Sequence, residues 1–194
     1  MRLIPQTLIP GFLRPRTPRQ AVSLYETLLL RAREPVFYTD WGVPDTMDGR
    51  LEVLQLHLAL LFRRLGAIAP HGPDLWRDTL DHAMGEIERA MRDVGVGDVT
   101  VPKKMRRVAE AFYGRAKAYG EALDADDRAA LADALARNVY AEPPHADALA
   151  GLAGDAVVLD AALRAAPDAE LMAGRLTLAA PHAAPIGEDR HAAL

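Results

Sequence analysis

Apolar residues recur at three- and four-residue steps along most of this chain, the period of helices packed by one face. Ala21, Leu24, Tyr25, Leu28 and Leu29 mark a first helix. Thr17-Pro18 opens it as a capping residue before a first-turn proline, and it should end before Pro35. The next helix is apolar on nearly every side. Leu51, Val53, Leu54, Leu56, Leu58, Leu60, Leu61, Phe62 and Leu65 leave only a thin polar strip of Glu52, Gln55, Arg63 and Arg64. Such a helix is expected at the centre of a bundle, with the others packed around it. Asp45 or Thr46 can cap it, and Asp48 falls in its first turn beside the positive end of the macrodipole.

Further helices follow the same logic. Trp76, Leu80, Ala83, Met84, Ile87, Ala90, Met91 and Val94 form one stripe, begun near Pro73 and stopped at Gly95. Met84 and Met91 are read as core, with an adaptable binding surface as the alternative. Pro102 opens a helix with apolar Met105, Val108, Ala109, Phe112, Ala116 and Tyr119. Asp124 or Asp126 can cap another, which carries Leu131, Ala134, Leu135 and Val139 and breaks at Glu142-Pro-Pro-His145. Residues 146–165 read as helix, weakened by Gly151 and Gly154, and a short turn of helix after Pro167 includes Leu171 and Met172. The fold class is therefore all-α, a compact bundle of about six helices without a sheet. Residues 17–166 are expected to form a single helical domain. Residues 1–16 read as an irregular basic arm and 167–194 as a short helix and flexible tail.

The segment from Pro35 to Pro44 reads as a loop holding Phe37, Tyr38 and Trp41. These aromatics either seal the entrance side of the central helix or offer an exposed patch to a partner. From Ala122 onward about a third of the residues are alanine, which favours helix but buries little area. That part is expected to be thinner and less stable.

Composition narrows the chemistry. With no cysteine, the chain has no disulfide, thiolate zinc site or cysteine nucleophile. No apolar run reaches the ~20 residues of a membrane span, and no signal peptide or Arg- and Ser-rich presequence is expected at the N-terminus. The net charge of −4 conceals a polarity: residues 1–120 carry 18 basic and 14 acidic groups, and residues 121–194 carry 5 and 13. The strongest basic feature is the helix after Pro102, where Lys103, Lys104, Arg106, Arg107, Arg115 and Lys117 face Glu110 alone. It is a solvated face, a binder of anionic lipid headgroups, or a binder of ribosomal RNA. Tyr113 could add an interfacial contact there.

No catalytic, cofactor or metal site emerges. Gly95 to Lys104 lacks the spacing of a phosphate loop, and a helix precedes it where a strand is required. Asp40, Asp45 and Asp48 lack the ligand spacing of a calcium loop and suit capping, with Arg50 near enough to pair with one of them. His57 lies within the apolar helix and reads as a hydrogen-bonded core imidazole rather than a haem ligand. No nucleophile–base constellation is present, so no enzyme is expected.

Three blocks of sequence carry a resemblance. The first is Val43-Pro-Asp-Thr-Met-Asp-Gly-Arg50 with Leu56-His57. The second is Val94-Gly-Val-Gly-Asp98, Val101-Pro-Lys-Lys104, Ala111-Phe-Tyr-Gly-Arg115 and Ala118-Tyr119. The third, weaker, is Leu135-Ala-Arg-Asn-Val-Tyr140. In order and spacing, over roughly residues 35 to 141, the chain resembles the ubiquinol–cytochrome c chaperone family. The resemblance implies a non-catalytic helical assembly factor for respiratory complex III that acts on newly synthesised cytochrome b. It also implies that the matched blocks form a client-facing surface, with Asp45, Asp48, Arg50, Lys103, Lys104, Arg107, Tyr113 and Arg115 as the residues concerned. A bacterial member working in the cytoplasm, peripheral at the inner face of the membrane, is expected. Neither a small protein partner nor a ribosome is assumed. A carrier of a hydrophobic cofactor (quinone or haem) and an RNA- or ribosome-binding module are the alternatives.

Overall fold

Thr46 starts the helix around which the others assemble. The computed structural model describes residues 17–181. It shows eight helices among them, six of them substantial, and no strand. In chain order these are α1 (Arg19–Ala32), α2 (Val36–Thr39), α3 (Met47–Gly66), α4 (Gly72–Asp93), α5 (Val101–Asp124), α6 (Arg128–Val139), α7 (Ala146–Ala165) and α8 (Asp168–Met172). The all-α expectation holds. The expected arm over residues 1–16 and the tail beyond residue 181 lie outside the described residues.

Of the two candidate caps, Thr46 is the one used: its hydroxyl accepts from the Gly49 amide at 3.1 Å. From Val53 to Phe62 every residue of α3 is buried, because α1, α4, α5, α6 and α7 all pack on it. Gly49 is a steric requirement of this start. A Cβ there would lie 2.0 Å from the Pro44 carbonyl oxygen, so the capping loop can cross the first turn only over a glycine.

The segment from Pro35 to Pro44 is not all loop. Val36–Thr39 closes one helical turn, α2, with Tyr38 and Thr39 amides bonding back to the Pro35 carbonyl. This turn drives Phe37 and Trp41 inward. Both are buried, meet edge to face at 5.1 Å, and Phe37 meets the His57 ring at 5.4 Å. The aromatics therefore seal the core beside α3 rather than forming an exposed patch.

Three further expectations are corrected. No side chain caps α1: Pro18 holds that position through its backbone alone. Asp127, not Asp124 or Asp126, caps α6 by accepting from the Ala130 amide at 2.9 Å. Asp126 instead takes a positive φ in the turn, and Asp124 pairs with Arg63. The alanine-rich part, expected to be thinner, reaches the centre of the bundle. α7 lies directly on α3 and buries Leu152, Leu159 and Leu163. Its small residues permit close approach: the Trp41 indole rests against Gly151, where a Cβ would meet Nε1 at 2.3 Å.

Candidate functional site

The N-terminal half of α3, the C-terminal halves of α1 and α4, and Tyr38 of α2 enclose an apolar groove of about 430 Å³. Leu29 and Ala32 line it from α1, Leu51 and Leu54 from α3, and Ile87, Ala90 and Met91 from α4. Met47 stands at the mouth, 40% exposed. Two flexible thioethers in the lining give a surface that can adjust its shape to what it meets. The polar groups are few: Tyr25, Arg33, Tyr38, Arg50 and Glu86. Burial raises the Tyr25 and Tyr38 phenols, so both remain protonated at neutral pH.

The first sequence block builds one lip of this groove. Arg50 donates to Asp45 at 2.5 Å and lays its guanidinium over the Tyr38 ring, 4.8 Å from the centroid. Tyr38 in turn donates its hydroxyl proton to the Ala32 carbonyl at 2.7 Å. Loop, α3 and α1 are thus tied together at the groove by one chain of contacts. Asp48 is exposed in the first turn of α3 and does not line the groove.

Behind the groove, a buried polar hub fixes α1, α3 and α7. Arg31 donates to both carboxylate oxygens of Asp155, at 2.9 and 2.5 Å, and to the Ala179 carbonyl at 3.1 Å. Arg31 Nη1 also lies 2.8 Å from His57 Nε2. A guanidinium can only donate, so Nε2 accepts and Nδ1 carries the hydrogen, which it gives to the Val53 carbonyl at 2.8 Å. Full burial, and then the Arg31 charge, push the His57 pKa down to about 3 despite that backbone bond. His57 is therefore a neutral core imidazole, as the sequence suggested. Arg63 and Arg164 hold the second buried carboxylate of α7, Asp160, at 2.7 and 2.8 Å.

The second block is elsewhere. No α5 residue lines the groove. Lys103, Lys104, Arg107 and Tyr113 are exposed on α5, whereas Arg115 is not part of that face. Arg115 turns inward and donates to Glu52 of α3 at 2.6 Å, both side chains being about 15% exposed. Burial raises the Glu52 pKa and Arg115 opposes the rise. The i+3, i+4 stripe explains the difference: position 115 follows Phe112 and precedes Tyr119, so it borders the packed side.

Arg31, Asp155 and the α1 and α4 walls of the groove were not identified from sequence. A signal for the hub was present, since Arg31 and Asp155 interrupt the apolar stripes Leu24–Leu28 and Leu152–Leu159 at helical spacing. For the groove walls the signal was slight, an adaptable surface at Met91 as the alternative to core, because half-buried Leu29 and exposed Ala90 sit on the same stripes as buried neighbours. Among the described residues, no group of three His, Asp or Glu is placed to hold a metal ion, and no helix is long and apolar enough to cross a membrane.

Residues 39–179 match the family described as "Ubiquinol-cytochrome C chaperone". A Xenopus laevis protein named ubiquinol-cytochrome-c reductase complex assembly factor 1 is 29% identical over 119 residues, 61% of this chain and 59% of that protein. The present chain thus matches about three-fifths of the length of that curated relative. The crystal structure of the Cbp3 homolog from Brucella abortus superposes with a TM-score of 0.72 at 37% identity, over 81% of this chain and 87% of that one.

Proposed function

The chain belongs to the ubiquinol–cytochrome c chaperone family, and from that premise we propose that it holds newly made cytochrome b while complex III is assembled, gripping an apolar client segment in the groove between α1, α3 and α4. The observation that carries the reading is the groove's construction. An apolar floor with a methionine at its mouth and another in its wall is framed by Asp45 and Arg50, two residues of the block that carried the resemblance. Such a floor suits the apolar face of a helix, whose side chains at i, i+3, i+4 and i+7 would fill it in turn. It asks for no bond-making group, and none is needed by a protein that shields a segment and then releases it. In this reading the chain acts in the cytoplasm at the inner face of the membrane, where the client is inserted.

The test uses two residues whose substitution spares the core. Met47→Asp and Ala90→Asp each place a carboxylate on the groove surface, at positions already exposed. Tagged protein recovered from its native membranes should bring down cytochrome b. The double variant should recover several-fold less, with complex III falling in parallel and the melting temperature unchanged. Undiminished recovery by a folded double variant would refute the groove as the client site.

A further inference from the structure

The solvent side of α5 is a second surface with a chemistry of its own. Its start is helical before the helix proper, because the Thr100 and Val101 amides both bond back to the Gly97 carbonyl. Val99 therefore sits one turn ahead of Lys103, and Arg107 and Tyr113 flank that line on opposite sides, with Lys104 at the edge of the solvent side beyond Arg107. Val99 is 95% exposed, Val94 on the other side of the connecting turn 61%, and Tyr113 53%. Lys103, Lys104 and Arg107 are exposed and have no ion-pair partner among the described residues. Most nearby acids are engaged, Glu110 with Arg106 at 3.8 Å, Glu88 with Arg92 at 2.9 Å and Asp98 also with Arg92, which leaves exposed Asp93 beside Val94 as the acid without an ion pair there among the described residues. The surface thus presents a net positive charge, with aliphatic side chains at its tip and a phenol on one flank.

We infer that this face seats the protein on an anionic lipid bilayer, with Lys103 and Arg107 at the headgroup phosphates, Lys104 reaching them from the edge of the face, Val94 and Val99 at the headgroup–acyl boundary, and Tyr113 on the opposite flank at the interface. Charge complementarity selects an anionic partner. The projecting valines select a bilayer over RNA: aliphatic tips gain by entering an apolar boundary, and a sugar-phosphate backbone offers them none. Tyr113 has the amphipathic ring that favours the interface. The apolar side of α5 is spent on its own core, with Phe112 and Tyr119 fully buried. Attachment is therefore shallow and reversible. The acidic excess of residues 121–194 disfavours the opposite orientation. This inference stands independently of where the client binds.

The full chain is mixed with sedimentable vesicles of pure phosphatidylcholine, or of equal parts phosphatidylcholine and phosphatidylglycerol. Binding is expected only to the second and should fade as salt is raised. Lys103→Glu, Lys104→Glu and Arg107→Glu together should weaken it about a hundredfold or more. Tyr113→Trp should shift its emission to the blue with anionic vesicles, while Val99→Ser weakens binding without changing its salt dependence. Thermal melts confirm that each variant is folded. No binding to the anionic vesicles, or binding untouched by the triple charge reversal, overturns the proposal. So does tight binding of duplex RNA by a protein that ignores the vesicles.

Discussion

His57 is the residue whose environment is most sharply set by the fold. Held between the Val53 carbonyl and the Arg31 guanidinium, it cannot take a second proton without facing a buried cation. Its folded pKa of about 3 lies below the ordinary 6.5, so the unfolded chain binds the proton more readily. The contribution to stability is complete above pH 6.5 and is lost as pH falls toward 3. The loss is about 1.4 kcal/mol per pH unit in that window, or roughly 2 kcal/mol between pH 6.5 and 5. Urea unfolding across this range should show that slope. His57→Gln keeps an acceptor for Arg31 but cannot be protonated, and it should flatten this part of the profile. An unchanged slope in that variant would place the acid sensitivity elsewhere. A second residue pair separates packing from helix propensity. Gly151→Ala puts a methyl into the buried Trp41 ring and should destabilise by about 1–3 kcal/mol. Gly154→Ala meets nothing within 4 Å and should stabilise by up to about 1 kcal/mol. Thermal melts of the two variants should move in opposite directions.

Among the elements, α7 is the one whose role changed most between sequence and structure. Its composition suggests a thinner and less stable part of the domain, yet it brings Asp155 to Arg31 and Asp160 to Arg63. Ending the chain at residue 141 would strip a helix from α3 and remove both the Asp155 carboxylate and the Ala179 carbonyl that hold Arg31. We expect such a truncation to lose cooperative unfolding; a sharp melt with near-native helicity would show that α7 is dispensable. The order and type of the six long helices were legible because their apolar periodicity is strong. So was the central place of α3, because a helix apolar all round has no solvent face. The α2 turn was not legible, since four residues with a proline before them carry no period. The cap of α6 was misassigned among three nearby aspartates whose choice depends on where the turn ends. At the candidate site, spacing put Arg50 within reach of Asp40, Asp45 or Asp48, and the fold selects Asp45. The groove this pair frames did not follow from spacing, because the groove depends on which members of three apolar stripes are left short of neighbours. Arg115 was misplaced for a related reason: a charge bordering a stripe can turn inward once Glu52 is there to receive it.

Taken whole, the proposed client groove and the proposed bilayer face fall on different residues. The groove is walled by α1, α3 and α4 with Tyr38, and no residue of α5 enters it. Holding a client and touching a bilayer should therefore be separable by mutation. Reversing Lys103, Lys104 and Arg107 should leave detergent-solubilised client recovery intact, while Met47→Asp with Ala90→Asp should leave vesicle binding intact. Loss of both activities from either set of changes would argue against that division. The central claim, that the groove is where the client is held, is tested most directly by site-specific photocrosslinking in cells making cytochrome b. A photoreactive side chain at Met47 or Ala90 should capture newly made cytochrome b, and one at exposed Val158 on α7 should not. Equal capture from all three positions, or capture from Val158 alone, would contradict the account.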